Sequence, residues 1–395
     1  MRRRLAAIRR SLPDAFWIVW LGTLVNRAGG FVLPLLAFYL TRERGLTQGD
    51  AALIASAYGA GLVAAGLVGG VLADRLGRRL TMAGSLLGGA VMMLTLSAAR
   101  GVPGIAAAAA GLGLVGELYR PAVMAYVTDV VPAADRPRAF AFVYWAINLG
   151  FTTAAVLGGV LAEHSYRVLF IADAATMAVY ALIVLAFVDE SRPAAAIDPR
   201  TAGSLLAVLG DRVFMIFVGL GFTASLVFYQ SSVTLATYLD GQGQSAATYG
   251  RIIGLNGVVI ILAQPWLTTR FAKADGSRVL AVAALLAGGG MAIHGLGAAL
   301  AIQLTAVLIW TFGEILQSPF YSSTVATLAA PATRGRYQGV LGMSFGLGAM
   351  AGPPAGALAV DLLGPGGPWL CCAILGVATA VGYLISAPGR RARGA

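Results

Sequence analysis

Hydrophobic residues in this chain come in long unbroken blocks, not in the short alternation of strands or the one-sided stripes of soluble helices. Twelve apolar runs of ~20 residues or more are each long enough to cross a bilayer as a helix. They fall at 15–40, 50–73, 80–99, 105–128, 139–162, 167–188, 212–239, 246–269, 278–299, 301–329, 338–362 and 367–387. Short polar turns separate them. The one longer interruption, Asp189 to Asp211, carries Pro193, Pro199 and several charges and divides the runs six and six. The pattern predicts an all-α membrane protein with a six-helix bundle over 1–188, a central loop over 189–211 and a second bundle over 212–395. Met1 to Arg10 is basic and precedes an apolar run, as in a signal peptide. That run reaches Leu40 without a small-residue cleavage site, so it reads as a retained first span.

Composition agrees. At 395 residues, 58% hydrophobic and a mean hydropathy of +0.80, the chain is too apolar to hide its surface in a soluble core. The 52 glycines suit closely packed transmembrane helices. A formal charge of +11 could suggest nucleic acid, but the basic residues lie mainly in turns and near the ends. With the termini on one face, 21 arginines and lysines fall on that face, against Arg42, Arg44, Arg100 and Arg167 on the other. Arg27, Arg120 and Arg251 lie within spans. This bias predicts cytoplasmic termini in the plasma (inner) membrane and no nucleic-acid partner. Cys371 and Cys372 adjoin in an apolar run, without disulfide or metal spacing. Nothing resembles an enzyme or a metal or cofactor site. Without a Gly-rich phosphate loop carrying a lysine, the energy source is expected to be ionic, not ATP.

The two halves repeat at an offset near 198. Gly116-Glu117 recurs as Gly313-Glu314, Arg136 and Arg138 as Arg334 and Arg336, and Gly158 as Gly356. Parallel six-helix repeats are an architecture of transporters that rock two bundles about a midplane site.

The turn between the second and third runs reads Gly70-Val71-Leu72-Ala73-Asp74-Arg75-Leu76-Gly77-Arg78-Arg79. One carboxylate and three arginines within six residues cannot enter hydrocarbon, and Gly77 permits a sharp reversal. On Gly70, Asp74, Arg75, Gly77, Arg78 and Arg79, with the twelve runs and the central loop, the chain resembles the major facilitator superfamily over essentially its whole length. The resemblance implies that Asp74 and the arginines contact helix ends of the other bundle and hold the cytoplasmic side closed. Asp129 and Arg138, in the next turn on that side, join the candidate gate. A solvated turn obeying the charge bias is the alternative. Within the superfamily the chain is most similar to twelve-helix bacterial drug:proton antiporters of the multidrug-efflux type, with Phe31-x-x-Pro34 in the first span. It departs from the antiporter signature in the fifth span, where Ala154-Ala155 replaces Gly-Pro before Gly158-Gly159. A Gly-Pro pair stands instead at Gly352-Pro353.

At 1.5 Å per residue, Arg27, Glu117 and Glu314 lie ~17, ~18 and ~20 Å into their spans, near the midplane. Arg120 follows Glu117 by one turn on the same face. The resemblance implies that spans 1, 4, 7 and 10 line the central cavity. Arg27, Glu117 and Arg120 then form one cluster, either functional or a simple lock between spans 1 and 4. Two arginines favour the ionised form of Glu117. Glu314 has only Gln317 and Ser318 within a turn, so desolvation favours its neutral form. Glu314 is thus the expected proton carrier; Glu117 is the second proton-coupling candidate and reads more as a charge partner of the two arginines.

Candidate substrate contacts are Asn26, Arg27, Tyr119, Arg120, Gln230 and Gln317, with aromatic surface from Tyr126, Phe228, Tyr229, Phe320 and Tyr321. Gln230, Ser231 and Ser232 interrupt the seventh span. Asp173 and Arg251 lie near the outer surface, where a gate role competes with snorkelling. His294 stands alone and receives no role, and Gly66-x-x-x-Gly70 reads as a close helix contact. The expected function is that of a monomeric, proton-coupled exporter of small amphipathic compounds. One rival is an uptake carrier whose anionic metabolite binds Arg27 and Arg120. A second is a non-transporting membrane receptor or assembly factor.

Overall fold

A computed structural model describes residues 12–132, 135–191, 205–271, 274–329 and 334–394. Twelve helices among them are long and apolar enough to cross a membrane. The first six are α1 (Asp14–Glu43), α2 (Gln48–Ala73), α3 (Arg78–Ala98), α4 (Gly101–Val130), α5 (Arg138–Ala162) and α6 (Tyr166–Phe187). The second six are α7 (Arg212–Gly241), α8 (Ala246–Leu267), α9 (Gly276–Leu296), α10 (Leu300–Tyr321), α11 (Tyr337–Leu363) and α12 (Gly367–Ile385). No strand occurs among the described residues. Side chains such as Leu182, Leu262 and Ile374 point outward and exposed, the apolar surface that lipid covers.

The halves repeat in packing as well as in sequence. Helix α1 packs on α5, α2 on α4 and α3 on α6, and α7 packs on α11, α8 on α10 and α9 on α12. The offset of 198 also shows in the backbone. Gly45 and Gly243 stand at related positions after α1 and α7, both with positive φ, 63° and 74°. Pro121 in α4 and Pro319 in α10 are likewise related. Each removes a backbone N–H within a helix and leaves the carbonyl four residues earlier without its helical partner.

Three of the cavity helices are interrupted. Helix α1 breaks between Ala28 and Val32, where Gly29-Gly30 precedes Pro34. The carboxylate of Asp173 in α6 accepts the N–H of Val32 at 3.2 Å, satisfying a donor that the new helical start leaves orphaned. Helix α4 kinks at Leu118. Helix α7 breaks between Tyr229 and Val233. There Ser231 and Ser232 turn their hydroxyls back onto the carbonyls of Phe228 and Tyr229, both at 2.7 Å, competing with the helical ladder.

The bundles meet along α5 with α8 and α2 with α11. The closest approaches lie toward the face where α1 ends and α7 ends, here termed the outer face. A Cβ on Gly159 would stand 2.8 Å from the Ala246 carbonyl oxygen, and one on Gly250 would run into the Ala155 carbonyl. The rings of Phe38 and Tyr249 meet at 5.6 Å. Arg42 pairs with Asp240, Thr41 donates to Asp240 at 2.8 Å, and Arg42 also reaches the Gln244 carbonyl. Arg42 and Asp240 are themselves related by the offset of 198, so the outer face is latched across the pseudo-twofold. The opposite face, where α1 starts and α12 ends, is termed the terminal face.

Two expectations about packing are corrected. Gly66 and Gly70 have open space where a Cβ would go, so Gly66-x-x-x-Gly70 is not a contact stripe. The close approaches of this helix use Gly59 against α11, and Gly61 and Gly69 against α4. His294 is not alone. It is fully buried, 2.5 Å from Gln303 through Nδ1 and 5.3 Å from the Trp369 ring, and joins the start of α10 to α9 and α12.

Candidate functional site

The α4 kink puts Glu117 at the centre of a polar cluster in the first bundle. Its Oε2 accepts from Arg27 Nη2 at 3.5 Å and lies 3.3 Å from Arg120 Nη1, and its Oε1 accepts from Tyr58 Oη at 3.0 Å. The charged trio expected from depth, spacing and the resemblance is therefore assembled, with Tyr58 of α2 as a fourth member. Asn26 does not hold Arg27. It donates to Tyr119 Oη at 3.2 Å, and the Arg27 guanidinium lies over the Tyr119 ring at 5.6 Å. Asn26 and Tyr119 are both buried and sit behind Arg27, off the walls of the two large cavities.

In the second bundle Asn256 of α8 donates through Nδ2 to Glu314 Oε2 at 2.8 Å and to Thr311 Oγ1 at 3.0 Å. Asn256 occupies the position related to Tyr58 by the offset, so each half presents one carboxylate held by one neutral donor from the neighbouring helix. Sequence reading missed both donors. The repeat is the signal that finds them, because Tyr58 and Asn256 are polar residues at matching positions within apolar runs. Among the described residues no cation is paired with Glu314, whereas Glu117 is shared by two.

Between the bundles lies a cavity of about 470 Å³, lined by Arg120, Tyr144, Phe228, Trp310, Glu314 and Gln317 among others. Its lower walls, Gln338 and Phe345, belong to the first half of α11 and lead toward the terminal face. A second cavity of about 300 Å³ lies on the outer side and includes Arg27, Tyr58, Glu117 and Asn256. The two share Arg120, Phe228 and Trp310. Such volumes suit a small organic ligand. Gln317 is thus on the cavity wall. Gln230 is not; it is buried, donates to the Leu226 and Gly352 carbonyls and accepts from Thr234. Its role is to tie the α7 break to α11. Asp173, expected at a water-exposed or snorkelling position, is 3% exposed and caps the α1 break. Depth counted along an unbroken helix could not show that.

At the terminal face, Gly77 adopts φ 96°, a conformation that a Cβ would strain, and its chain neighbours donate to Glu190. The N–H groups of Arg78 and Arg79 reach Glu190 Oε1 at 2.6 and 3.4 Å. The side chain of Arg78 donates to Asp129 at 3.2 Å and to the Ala73 carbonyl, and Ser191 donates to the same Asp129 oxygen. Arg79 reaches the Leu185 carbonyl. Arg75 is exposed, and Arg138 lies over the Phe142 ring. The side chain of Asp74 lies outside the described residues. These contacts of Arg78 and Arg79 run to the first bundle and to Glu190 just after it, in a conformation packed shut at the outer face.

Two six-helix bundles around a central cavity, closed on one side, have the architecture of a membrane transporter. Residues 19–335 match the model of the Major Facilitator Superfamily, and the chain belongs to that superfamily. It is 28% identical over 364 residues to a Na(+), Li(+), K(+)/H(+) antiporter of Planococcus maritimus, covering 83% of this chain and 85% of that one. It is 26% identical over 187 residues to quinolone resistance protein NorA of Staphylococcus aureus (strain MRSA252), covering 47% and 48%. The solved structure of a peptide transporter POT in complex with alafosfalin is similar in fold, with a TM-score of 0.78 at 21% identity over 97% of this chain and 95% of that one. The protein is a multi-pass transporter of the cell membrane, not an enzyme.

Proposed function

We propose that this transporter exports small amphipathic compounds in exchange for protons, by alternating access, with its termini in the cytoplasm. The arginine and lysine bias supports that orientation, and in that frame the terminal face is cytoplasmic and the conformation faces inward. The observation that carries the reading is the placement of Glu314. It stands on the wall of an aromatic cavity, held by the neutral Asn256 and, among the described residues, without a paired cation. Gain or loss of a proton there changes what the cavity attracts. Glu117 is engaged by two guanidiniums and serves as their charge partner.

In the cycle, substrate entering from the cytoplasm displaces the proton from Glu314. The bundles rock, substrate leaves outward, and a proton taken from outside returns the carrier inward. One proton supplies about 1.4 kcal/mol per pH unit and about 2.3 kcal/mol per 100 mV, enough for a gradient of a few hundredfold. In the outward-facing state, Asp74 and Arg75, with Arg78, Arg79, Asp129 and Arg138, close the cytoplasmic side. The similarity to an ion/proton antiporter and to a quinolone resistance protein supports proton exchange and drug export. A cavity of about 470 Å³ is too roomy to grip a bare monovalent ion, which favours an organic substrate.

The test is a panel of cationic, zwitterionic, anionic and neutral aromatic compounds in proteoliposomes carrying an imposed pH gradient. Accumulation of at least one compound by the wild type, and its loss in Glu314→Gln, is the expected outcome. Proton-driven accumulation that persists in Glu314→Gln removes Glu314 from the role.

A further inference from the structure

Charge is distributed unevenly over the walls of the central cavity. On the first bundle, two guanidiniums share the single carboxylate of Glu117, whose second oxygen is taken by Tyr58. One positive charge is left over. It is presented by Arg120, whose side chain is 44% exposed and which lines both large cavities. On the second bundle, Glu314 lines the 470 Å³ cavity, and among the described residues only the neutral Asn256 donates to it. Between these walls lie Phe228, Tyr144 and Trp310. A cavity with a cationic wall, an anionic wall and an aromatic floor is complementary to a ligand of matching polarity.

We infer that the site takes aromatic zwitterions, with the anionic group of the ligand on Arg120 and its cationic group on Glu314. The inference rests on the export reading and narrows its substrate class. A ligand with only a cation satisfies Glu314 but leaves Arg120 facing an apolar group in a site that has lost water, and an anion pairs with Arg120 but leaves Glu314 protonated and unused. An unpaired charge in such surroundings is costly. The zwitterion alone pairs both walls, and in doing so spans the two bundles that must move together. A consequence follows for energetics. Exchange of one proton for a net-neutral zwitterion moves one positive charge inward, so membrane potential alone drives export. Exchange of one proton for a monocation is electroneutral, and potential alone does not drive it.

The experiment uses two spacer lengths, 4-(aminomethyl)benzoic acid and 4′-(aminomethyl)biphenyl-4-carboxylic acid. Each is compared with its methyl ester (cation only) and its N-acetyl derivative (anion only). Affinities are measured calorimetrically on the full chain in nanodiscs, and export is measured in proteoliposomes driven by a potassium–valinomycin potential without a pH gradient. At one spacer length or both, the zwitterion is expected to bind at least about tenfold tighter than either singly charged partner. Arg120→Gln brings the zwitterion to within about threefold of the ester, and Glu314→Gln brings it to within about threefold of the N-acetyl compound. Potential alone drives zwitterion export.

An ester that binds as tightly as the zwitterion, an unchanged zwitterion affinity in Arg120→Gln, or no binding by any of the six probes overturns the inference. Arg120 is exposed, so its variant keeps the test usable if Glu314→Gln does not fold. Proton-driven export of the ester without the zwitterion overturns the zwitterion assignment and leaves the export reading standing. Zwitterion binding without proton-driven flux of any compound overturns the export reading and leaves the binding assignment standing.

Discussion

Three membrane-embedded carboxylates, Glu117, Asp173 and Glu314, differ in what holds them. Two guanidiniums and a phenol hold Glu117, one amide holds Glu314, and Asp173 accepts a backbone N–H where α1 restarts. The Asp173 contact is structural and can be checked apart from transport. Asp173→Leu leaves the buried Val32 N–H without an acceptor, a loss of about 1–3 kcal/mol, and Asp173→Asn, which keeps an acceptor, costs less. Denaturant unfolding in detergent measures both, and a leucine variant as stable as the wild type contradicts the capping role. The Arg27–Glu117–Arg120 set was legible in the sequence because i, i+3 spacing and equal depth leave such charges few other partners. Tyr58 and Asn256 were not legible as isolated residues, since a partner on another helix depends on rotation and register. Asp173 was misplaced because only the broken α1 brings a backbone donor to it.

Between elements, close backbone approach and ion pairing both hold the outer face shut, with different strengths. Gly159 and Gly250 let α5 and α8 touch backbone to backbone, and a leucine at Gly250 overpacks that contact by about 1–3 kcal/mol. The Arg42–Asp240 pair is partly exposed, and such pairs contribute about 0–1 kcal/mol. Gly250→Leu is therefore expected to populate the outward-open state strongly, with longer spin-label distances between α5 and α8 at the outer face, and Arg42→Ala is expected to shift it only slightly. The reverse order contradicts this ranking. At the terminal face, Arg393 of the short helix Ala387–Gly394 pairs with Asp211, which also accepts from Tyr337 and from the Phe214 N–H. Burial pushes the Asp211 carboxyl up, and these hydrogen bonds outweigh it, leaving it below the ordinary carboxylate range. A depressed carboxyl stabilises above its unfolded value near 4 and stops doing so as pH falls through its folded value. A spin label at position 392 is expected to be immobile at neutral pH, to loosen under acid, and to be loose already at neutral pH in Asp211→Asn. Twelve spans and their six-and-six division were legible from apolar run length. Which face is closed was not, because run length carries no information on how the two bundles lean on each other.

For the whole molecule, the pseudo-twofold relates elements that do different work. Glu117 and Glu314 stand at matching depths with matching neutral donors, yet only the first is surrounded by guanidiniums. The loop of Gly70 to Arg79 has no full copy in the second half, where the related positions include Ala272, Lys273 and Asp275. Symmetry builds the cavity, and on the proposed reading the departures from it put the proton on one bundle and the fixed cation on the other. If proton and substrate compete for Glu314, binding must expel the proton without any membrane or gradient. The direct measurement is proton release from the purified protein in weakly buffered detergent, followed with a pH indicator as a transported compound is added and its binding is measured in parallel. Wild type is expected to release up to one proton per bound molecule, and Glu314→Gln to release none while still binding. Equal release from the wild type and Glu314→Gln would contradict the assignment of the coupled proton to Glu314.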